Sequence, residues 1–138
     1  MATTPTYGAA AGPALIAKTI LPADTTAIVD VYDNSAGAAG VQVQSLNICS
    51  NDTSAVNIAF YRYSGSTSYL LGTVRVATLS GTDGATSRVN ALSIIGVLAP
   101  EGINVLEIPA GSKLQASSLV TVTAAKTVTI TGWAKTFT

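Results

Sequence analysis

The chain has 138 residues, of which 48 % are hydrophobic and only 10 % are charged, and its seven basic residues balance its seven acidic ones. This apolar content excludes a disordered chain, and the length predicts a single domain with one core. Nucleic-acid binding is excluded because it needs clustered lysine and arginine, and no window reaches the roughly 18 to 20 apolar residues of a membrane helix.

The first thirteen residues have the periodicity of neither a strand nor a helix. Residues 1–13 are small, polar or helix-breaking, so we expect a flexible N-terminal arm without a core of its own. Residues 1–17 contain no lysine or arginine that could precede the apolar stretch at 14–17, so a signal peptide is not predicted. Residues 14–138 are expected to form the single domain. Its first two β-like runs span residues 15–21 and 26–32, and a loop of small residues follows at 33–40.

A change of phase marks the third run, residues 41–49. The alternation of apolar residues slips by one position between Val43 and Leu46. One extra residue in a strand shifts every later side chain to the other face of the sheet. The pattern therefore predicts a β-bulge at residues 44–45.

The clearest predicted hairpin joins the run at 41–49 to a run at 55–63. The four residues between them, 50–53, include an asparagine and an aspartate whose side chains can bond their own backbone in a turn. The apolar residues of the second run share one face: Val56, Ile58 and Phe60. A four-residue loop between alternating runs favours an antiparallel hairpin.

The remaining runs are also short, rich in threonine and valine, and separated by turns. They span residues 69–79, 88–98, 103–108, 114–119, 120–124 and 127–133. In the first of them Leu70, Val74 and Val76 are expected to be in phase. The run at 88–98 has mixed strand and helix spacing, and we interpret it as a strand. Eight or nine short strands without a long amphipathic helix predict an all-β fold, an antiparallel β-sandwich or barrel.

The sequence offers little reactive chemistry. Histidine, the commonest general base, is absent, which removes Ser-His and Cys-His nucleophilic schemes and Cys/His zinc sites. Cys49 lies in an alternating run and is expected to be buried as a small apolar residue. A calcium site at Asp30, Asp33 and Asn34 is weighed against ordinary turn chemistry, which explains these residues equally well. We predict no catalytic residue, no cofactor and no metal.

The aromatic residues are the most informative candidates for contact. Tyr61, Tyr63 and Tyr69 flank one turn, and the first two should point away from the core face. They form either a contact patch for a partner or a sugar, or cross-strand pairs that cover the sheet. Trp133 is expected to fill the core instead.

Three segments carry a resemblance to a known family. The stretch from Ser45 to Phe60 reads SLNICSNDTSAVNIAF, the turn from Ile108 to Leu114 reads IPAGSKL, and residues 121–132 end in VTITG. In this order they resemble the strand–turn–strand, the aliphatic-Pro-Ala-Gly-polar turn and the closing strand of small β-sandwich virion proteins of tailed bacteriophages. The family often has an acidic residue after the final glycine, where this chain has Trp133.

The resemblance implies a jelly-roll-like capsid decoration (cement) protein with about eight strands and an extended arm. Such proteins commonly bind as homotrimers to the major capsid protein on the outer surface of the head and reinforce the shell. The implied location is the virion, after synthesis in the host cytoplasm. The candidate interface residues are Tyr7, Tyr61, Tyr63 and Tyr69, and the arm at residues 1–13 is expected to cross a neighbouring subunit.

Two other functions remain open at this point. One is a different structural part of the virion, such as a neck, tail or baseplate β-domain. The other is a carbohydrate-binding β-sandwich module with Tyr61, Tyr63 and Tyr69 as its platform. An enzyme is not expected, for want of a base.

Overall fold

The computed structural model describes residues 14–136, which form two antiparallel β-sheets. The predicted arm at residues 1–13, with Tyr7, lies outside the described residues. The ten strands, numbered in chain order, are β1 (Ala14–Ile20), β2 (Val29–Asp33), β3 (Val41–Ser50), β4 (Val56–Ser64), β5 (Thr67–Val76), β6 (Val89–Asn90), β7 (Val97–Leu98), β8 (Asn104–Ile108), β9 (Ser112–Ser118) and β10 (Val128–Thr136). The helices are a 3₁₀ turn at Pro22–Asp24 and α1 at Leu92–Ile95.

The order of the strands is that of a jelly roll. The six-stranded sheet runs β1-β10-β3-β8-β7, with β6 also paired to β3, and the four-stranded sheet runs β2-β9-β4-β5. Without the two-residue strands β6 and β7, this is two four-stranded sheets in which the first strand lies beside the last. Eight long strands in two packed sheets are the jelly-roll arrangement. The predicted all-β sandwich is confirmed.

The core lies between the two sheets and follows the two-residue alternation of the sequence. In β10, Val128 and Ile130 are buried as predicted, and the strand extends to Thr136. The largest fully buried side chains come from both sheets: Phe60, Ile20, Leu46, Ile48, Ile58, Ile108, Leu114 and Ile130. Burial of these groups supplies the main favourable term for folding.

The predicted β-bulge in β3 is present. Trp133 pairs with Ser45 and Ala134 pairs with Val43, so Gln44 is the extra residue. The bulge brings the backbone of Ser45 so close to Gly132 that a Cβ at position 132 would clash with the Ser45 carbonyl oxygen. Glycine is therefore required beside the bulge.

The predicted hairpin between the runs at 41–49 and 55–63 is wrong. These runs are β3 and β4, and they belong to different sheets. The intervening turn carries the chain across the sandwich, so that the buried faces of the two strands oppose each other. Alternation indicates which face of a strand is buried but not which strand lies beside it. The hairpin forms instead between β4 and β5, closed by Gly65 at a φ of +66°.

Three further predictions need correction. The run at 88–98 is divided into β6, α1 and β7, and residues 120–124 form no strand. Leu70 is 62 % exposed because the β4–β5 pairing passes from Gly72 to Leu70 and leaves Leu71 as an extra residue. Leu70 is therefore out of phase with the buried valines of its strand.

A buried asparagine holds one end of the sandwich together. Asn34 follows β2, and its Nδ2 lies 3.0 Å from the Ala39 carbonyl oxygen and 3.2 Å from those of Ile108 and Pro109. Its amide therefore joins the β2–β3 loop to the β8–β9 corner. A Cβ at Gly37 would clash with the Asn34 Oδ1. Asn34 is thus a structural residue.

We expect Asn34→Ala to lower the free energy of unfolding by about 2 kcal/mol, because the buried Ile108 carbonyl group and the partly buried carbonyl groups of Ala39 and Pro109 would lose their donor. Chemical denaturation measures the change. The control is Asn57→Ala, at an exposed asparagine in β4, for which we expect a change below about 0.5 kcal/mol. Equal changes in the two variants would contradict the structural role of Asn34.

Candidate functional site

The first candidate surface is the outer face of the four-stranded sheet, which carries two of the predicted tyrosines. Tyr61 and Tyr63 alternate with the buried Phe60 and point away from the core, as expected. Both are half-buried. The Tyr61 hydroxyl lies 3.4 Å from the Ser117 Oγ, and the Lys113 ammonium lies 5.5 Å from the centre of the Tyr63 ring. These tyrosines therefore make cross-strand contacts within their own sheet.

Charged residues beside these tyrosines are also paired. The Lys113 Nζ lies 3.1 Å from the Asp30 carboxylate and 3.8 Å from that of Asp33. The Gln115 Nε2 donates to Asp30 at 2.8 Å, and this hydrogen bond is the main cause that lowers the pKa of Asp30. The hydrogen bond to Asp30 is in turn the main cause that raises the pKa of Lys113. Asp30 and Asp33, which the sequence analysis considered as calcium ligands, thus share Lys113 as their positively charged partner.

Tyr69 does not share this surface. It pairs with Arg62, one position away from the Tyr61–Leu70 pair. Because neighbouring residues of a strand point to opposite faces, Tyr69 lies on the other face of the sheet from Tyr61 and Tyr63. Its side chain is 54 % exposed. The structure therefore does not bring the three tyrosines together as one platform.

The second candidate surface is the outer face of the six-stranded sheet, where the tryptophan lies. The expectation that Trp133 fills the core is wrong, since 41 % of its side chain is exposed. It is paired across the strands with Leu15, which is 81 % exposed, and with Ser45. The alternation of β10 could have predicted this exposure. Trp133 is two residues from Thr131 and four from Thr129, so its side chain points outward as theirs do.

A shallow cavity of about 490 Å³ lies at Trp133. Leu15 supplies further apolar lining, and the polar lining includes Ser45, Asn47, Arg88 and Thr131. The Asn47 Nδ2 donates to the Ser45 Oγ at 3.0 Å. This cavity combines an aromatic ring with neutral polar groups and one cation.

Cys49 lies farther along the same outer face. It is half-buried and not in the core, in the outward phase of β3. Its Sγ lies beside Gly81, where a Cβ would come within 2.8 Å of it. The prediction of core burial for Cys49 is therefore wrong. As with Trp133, the alternation of its strand places the side chain on the outer face of the sheet.

The third candidate surface, which the sequence analysis missed, lies at the β7 end of the six-stranded sheet. We call it the apolar edge, and it consists of Ile94, Val97, Leu98 and Ile103, which are 53 %, 70 %, 68 % and 48 % exposed. Val97 and Leu98 are consecutive, so both faces of β7 are uncovered. Residues 91–100 are mostly apolar but follow the periodicity of neither a strand nor a helix. This irregular apolar run was the sequence feature that could have indicated an exposed apolar surface.

Reactive groups do not gather at any of these surfaces. Among residues 14–136, no three His, Cys, Asp or Glu side chains are close enough to hold a metal ion. No helix in this part of the chain is long and apolar enough to span a membrane. The surfaces described above can bind other molecules by shape, apolar contact and hydrogen bonding.

No known protein-family model matches this chain, and no curated protein is significantly similar to it in sequence.

Proposed function

We propose that this protein is a structural component of a tailed-phage virion, a capsid decoration protein that binds the outer surface of the head as a homotrimer. The apolar edge is the observation that carries the proposal. Four large aliphatic side chains within one α1–β7–β8 unit are about half to two-thirds exposed. An exposed apolar cluster of this kind marks a surface that contacts other proteins.

The charge of the chain supports assembly through this edge. Residues 89–106, which include the whole edge, contain Glu101 as their single charged residue. The formal net charge of the chain is zero, so copies do not repel each other strongly. A second copy or a capsid protein can therefore cover the edge without removing many charges from water, a step that is costly.

The architecture is compatible with this role. Jelly rolls occur in viral capsid proteins and in lectins, although a fold alone does not determine function. The turn from Ile108 to Leu114, one of the segments that resemble the phage family, forms the corner between β8 and β9. Asn34 holds this corner through hydrogen bonds to the Ile108 and Pro109 carbonyl groups. The segment that resembles the phage family is therefore one that shapes the sandwich.

We expect the purified protein to have a mass of about 42 kDa in light scattering, three times the 13.9 kDa of the chain, and to bind heads of its phage. The double variant Val97→Lys, Leu98→Lys is expected to weaken binding to the heads at least tenfold, because two ammonium groups would be buried in an apolar contact. Sedimentation with purified heads measures the loss.

The matched control is Leu119→Lys, Val120→Lys, which adds the same two charges at residues that are 49 % and 53 % exposed outside the apolar edge. It is expected to bind like the wild type. A monomeric wild-type protein without affinity for heads would overturn the proposal. Mass spectrometry of virions separates the alternatives, since a few copies per particle would indicate a neck, tail or baseplate protein.

A further inference from the structure

The cavity at Trp133 has no part in the assembly proposed above. It lies on the outer face of the six-stranded sheet, between β1, β10 and β3, whereas the apolar edge is at the opposite end of that sheet. Its volume of about 490 Å³ is within the range of roughly 300 to 1,000 Å³ that small-molecule sites occupy. It is therefore large enough for one or two sugar rings.

The lining of the cavity selects the class of ligand. An exposed indole ring offers an apolar face with negative charge density, on which the C–H groups of a pyranose ring can stack. The neutral side chains of Ser45, Asn47 and Thr131 offer donors and acceptors to sugar hydroxyl groups. A purely apolar ligand would leave these polar groups without partners, and this is unfavourable.

Arg88 adds a charge preference to the cavity. Within residues 14–136, Arg88 has no acidic partner. None of the described residues that line the cavity is acidic. A guanidinium group binds a carboxylate through two parallel hydrogen bonds, so a ligand with a carboxylate gains a partner that a neutral one lacks.

We propose that this cavity binds an acidic saccharide, with a pyranose ring stacked on Trp133 and its carboxylate paired with Arg88. The ligand class is a polysaccharide that contains hexuronic acid units. Such a site on an exposed sheet face would let the protein attach to a saccharide-coated surface while its apolar edge is engaged elsewhere.

The test compares methyl β-D-glucuronide with methyl β-D-glucoside, which differ only in the carboxylate. Trp133 is the one tryptophan of the chain, so the single indole N–H resonance in an NMR titration reports directly on the cavity. We expect saturable shifts with both sugars and at least fivefold tighter binding of the glucuronide. Arg88→Gln is expected to remove that difference, and Trp133→Ala to weaken calorimetric binding of both sugars at least tenfold.

Tyr69→Ala serves as the control, since it removes an exposed aromatic ring of the other sheet, and it is expected to leave binding unchanged. The absence of a saturable shift with either sugar would overturn the proposal. Equal affinity for the two sugars in the wild type would overturn the role of Arg88. The variants of the apolar edge should bind the glucuronide normally, so failure of one proposal is distinguishable from failure of the other.

Discussion

Replacing Asp52 with alanine is expected to lower the free energy of unfolding by about 3 kcal/mol. Asp52 lies in the turn between β3 and β4 and is only 1 % exposed. Its carboxylate accepts hydrogen bonds from the Ser54 N–H at 2.9 Å, the Thr123 N–H at 2.9 Å and the Thr123 hydroxyl at 2.7 Å. Its backbone oxygen accepts a further bond from the Leu79 N–H at 3.1 Å.

The large effect follows from what these bonds connect. The Asp52 carboxylate links its own turn to the segment that follows β9. The backbone oxygen of Asp52 links the same turn to the segment that follows β5, and this bond would remain in the alanine variant. Removal of the buried carboxylate would break three partly buried hydrogen bonds, from Ser54 and Thr123, at about 1 kcal/mol for each bond. Urea denaturation of the variant and the wild type measures the difference.

Asp83 provides a matched control for Asp52. Its carboxylate also accepts three hydrogen bonds, from the Ala85 N–H, the Thr86 N–H and the Thr86 hydroxyl. These bonds lie within one exposed turn, where water can replace them. Asp83→Ala is therefore expected to lower the free energy of unfolding much less than Asp52→Ala does. An equal decrease in the two variants would show that the hydrogen bonds between distant segments are unimportant.

The contribution of Asp52 should also depend on pH. Burial alone raises the pKa of this carboxyl, but the hydrogen bonds from Thr123 and Ser54 outweigh burial and hold the pKa below its ordinary value. The stabilisation is therefore present above the unfolded-state pKa of about 3.9 and is lost as the pH falls through the folded-state pKa. The stability difference between the wild type and Asp52→Asn should shrink below about pH 4.

Replacing Phe60 with alanine is expected to have the largest effect, a loss of about 4 kcal/mol, because it leaves a cavity in the core. Phe60 is the largest fully buried side chain. Its neighbours across the two flanking strands are Ala116 and Gly72. Gly72 has no side chain, and the Ala116 methyl group is fixed to the backbone and cannot rotate into the vacated space, so these two neighbours would not fill the cavity.

Thermal unfolding followed by circular dichroism measures the loss. The control is Tyr69→Ala, since this aromatic side chain of the neighbouring strand is 54 % exposed, and we expect a change below about 0.5 kcal/mol. A loss of less than about 1 kcal/mol for Phe60→Ala would mean that the sheets close over the cavity.

Local patterns predicted those features that depend on neighbours along the chain. The slip of phase in residues 41–49 predicted the bulge, because one extra residue reverses the side-chain direction whatever strand lies alongside. The outward direction of Tyr61 and Tyr63 follows from the same alternation. The prediction for Trp133 was wrong because it relied on the preference of large aromatic residues for the core. The alternation along its strand, which places Trp133 on the outer face, was the better guide.

Contacts between distant parts of the chain could not be predicted in this way. The run at 41–49 pairs with a strand more than eighty residues later and not with the run that follows it, because jelly-roll connections cross between sheets. The apolar edge is exposed for a similar reason, since β7 lies at the end of the sheet order and its sequence is as apolar as that of a core strand.

The sequence by itself determined the all-β class, the bulge, the inward face of most strands and the lack of a histidine base. The tertiary structure alone decided which strands are neighbours, that Asn34 and Asp52 hold the crossings, and that Trp133 and Arg88 border one cavity. The physical reason is the range of the interactions. Alternation and turn chemistry act over a few residues, whereas strand pairing and the grouping of side chains at a surface depend on packing between segments far apart in the chain.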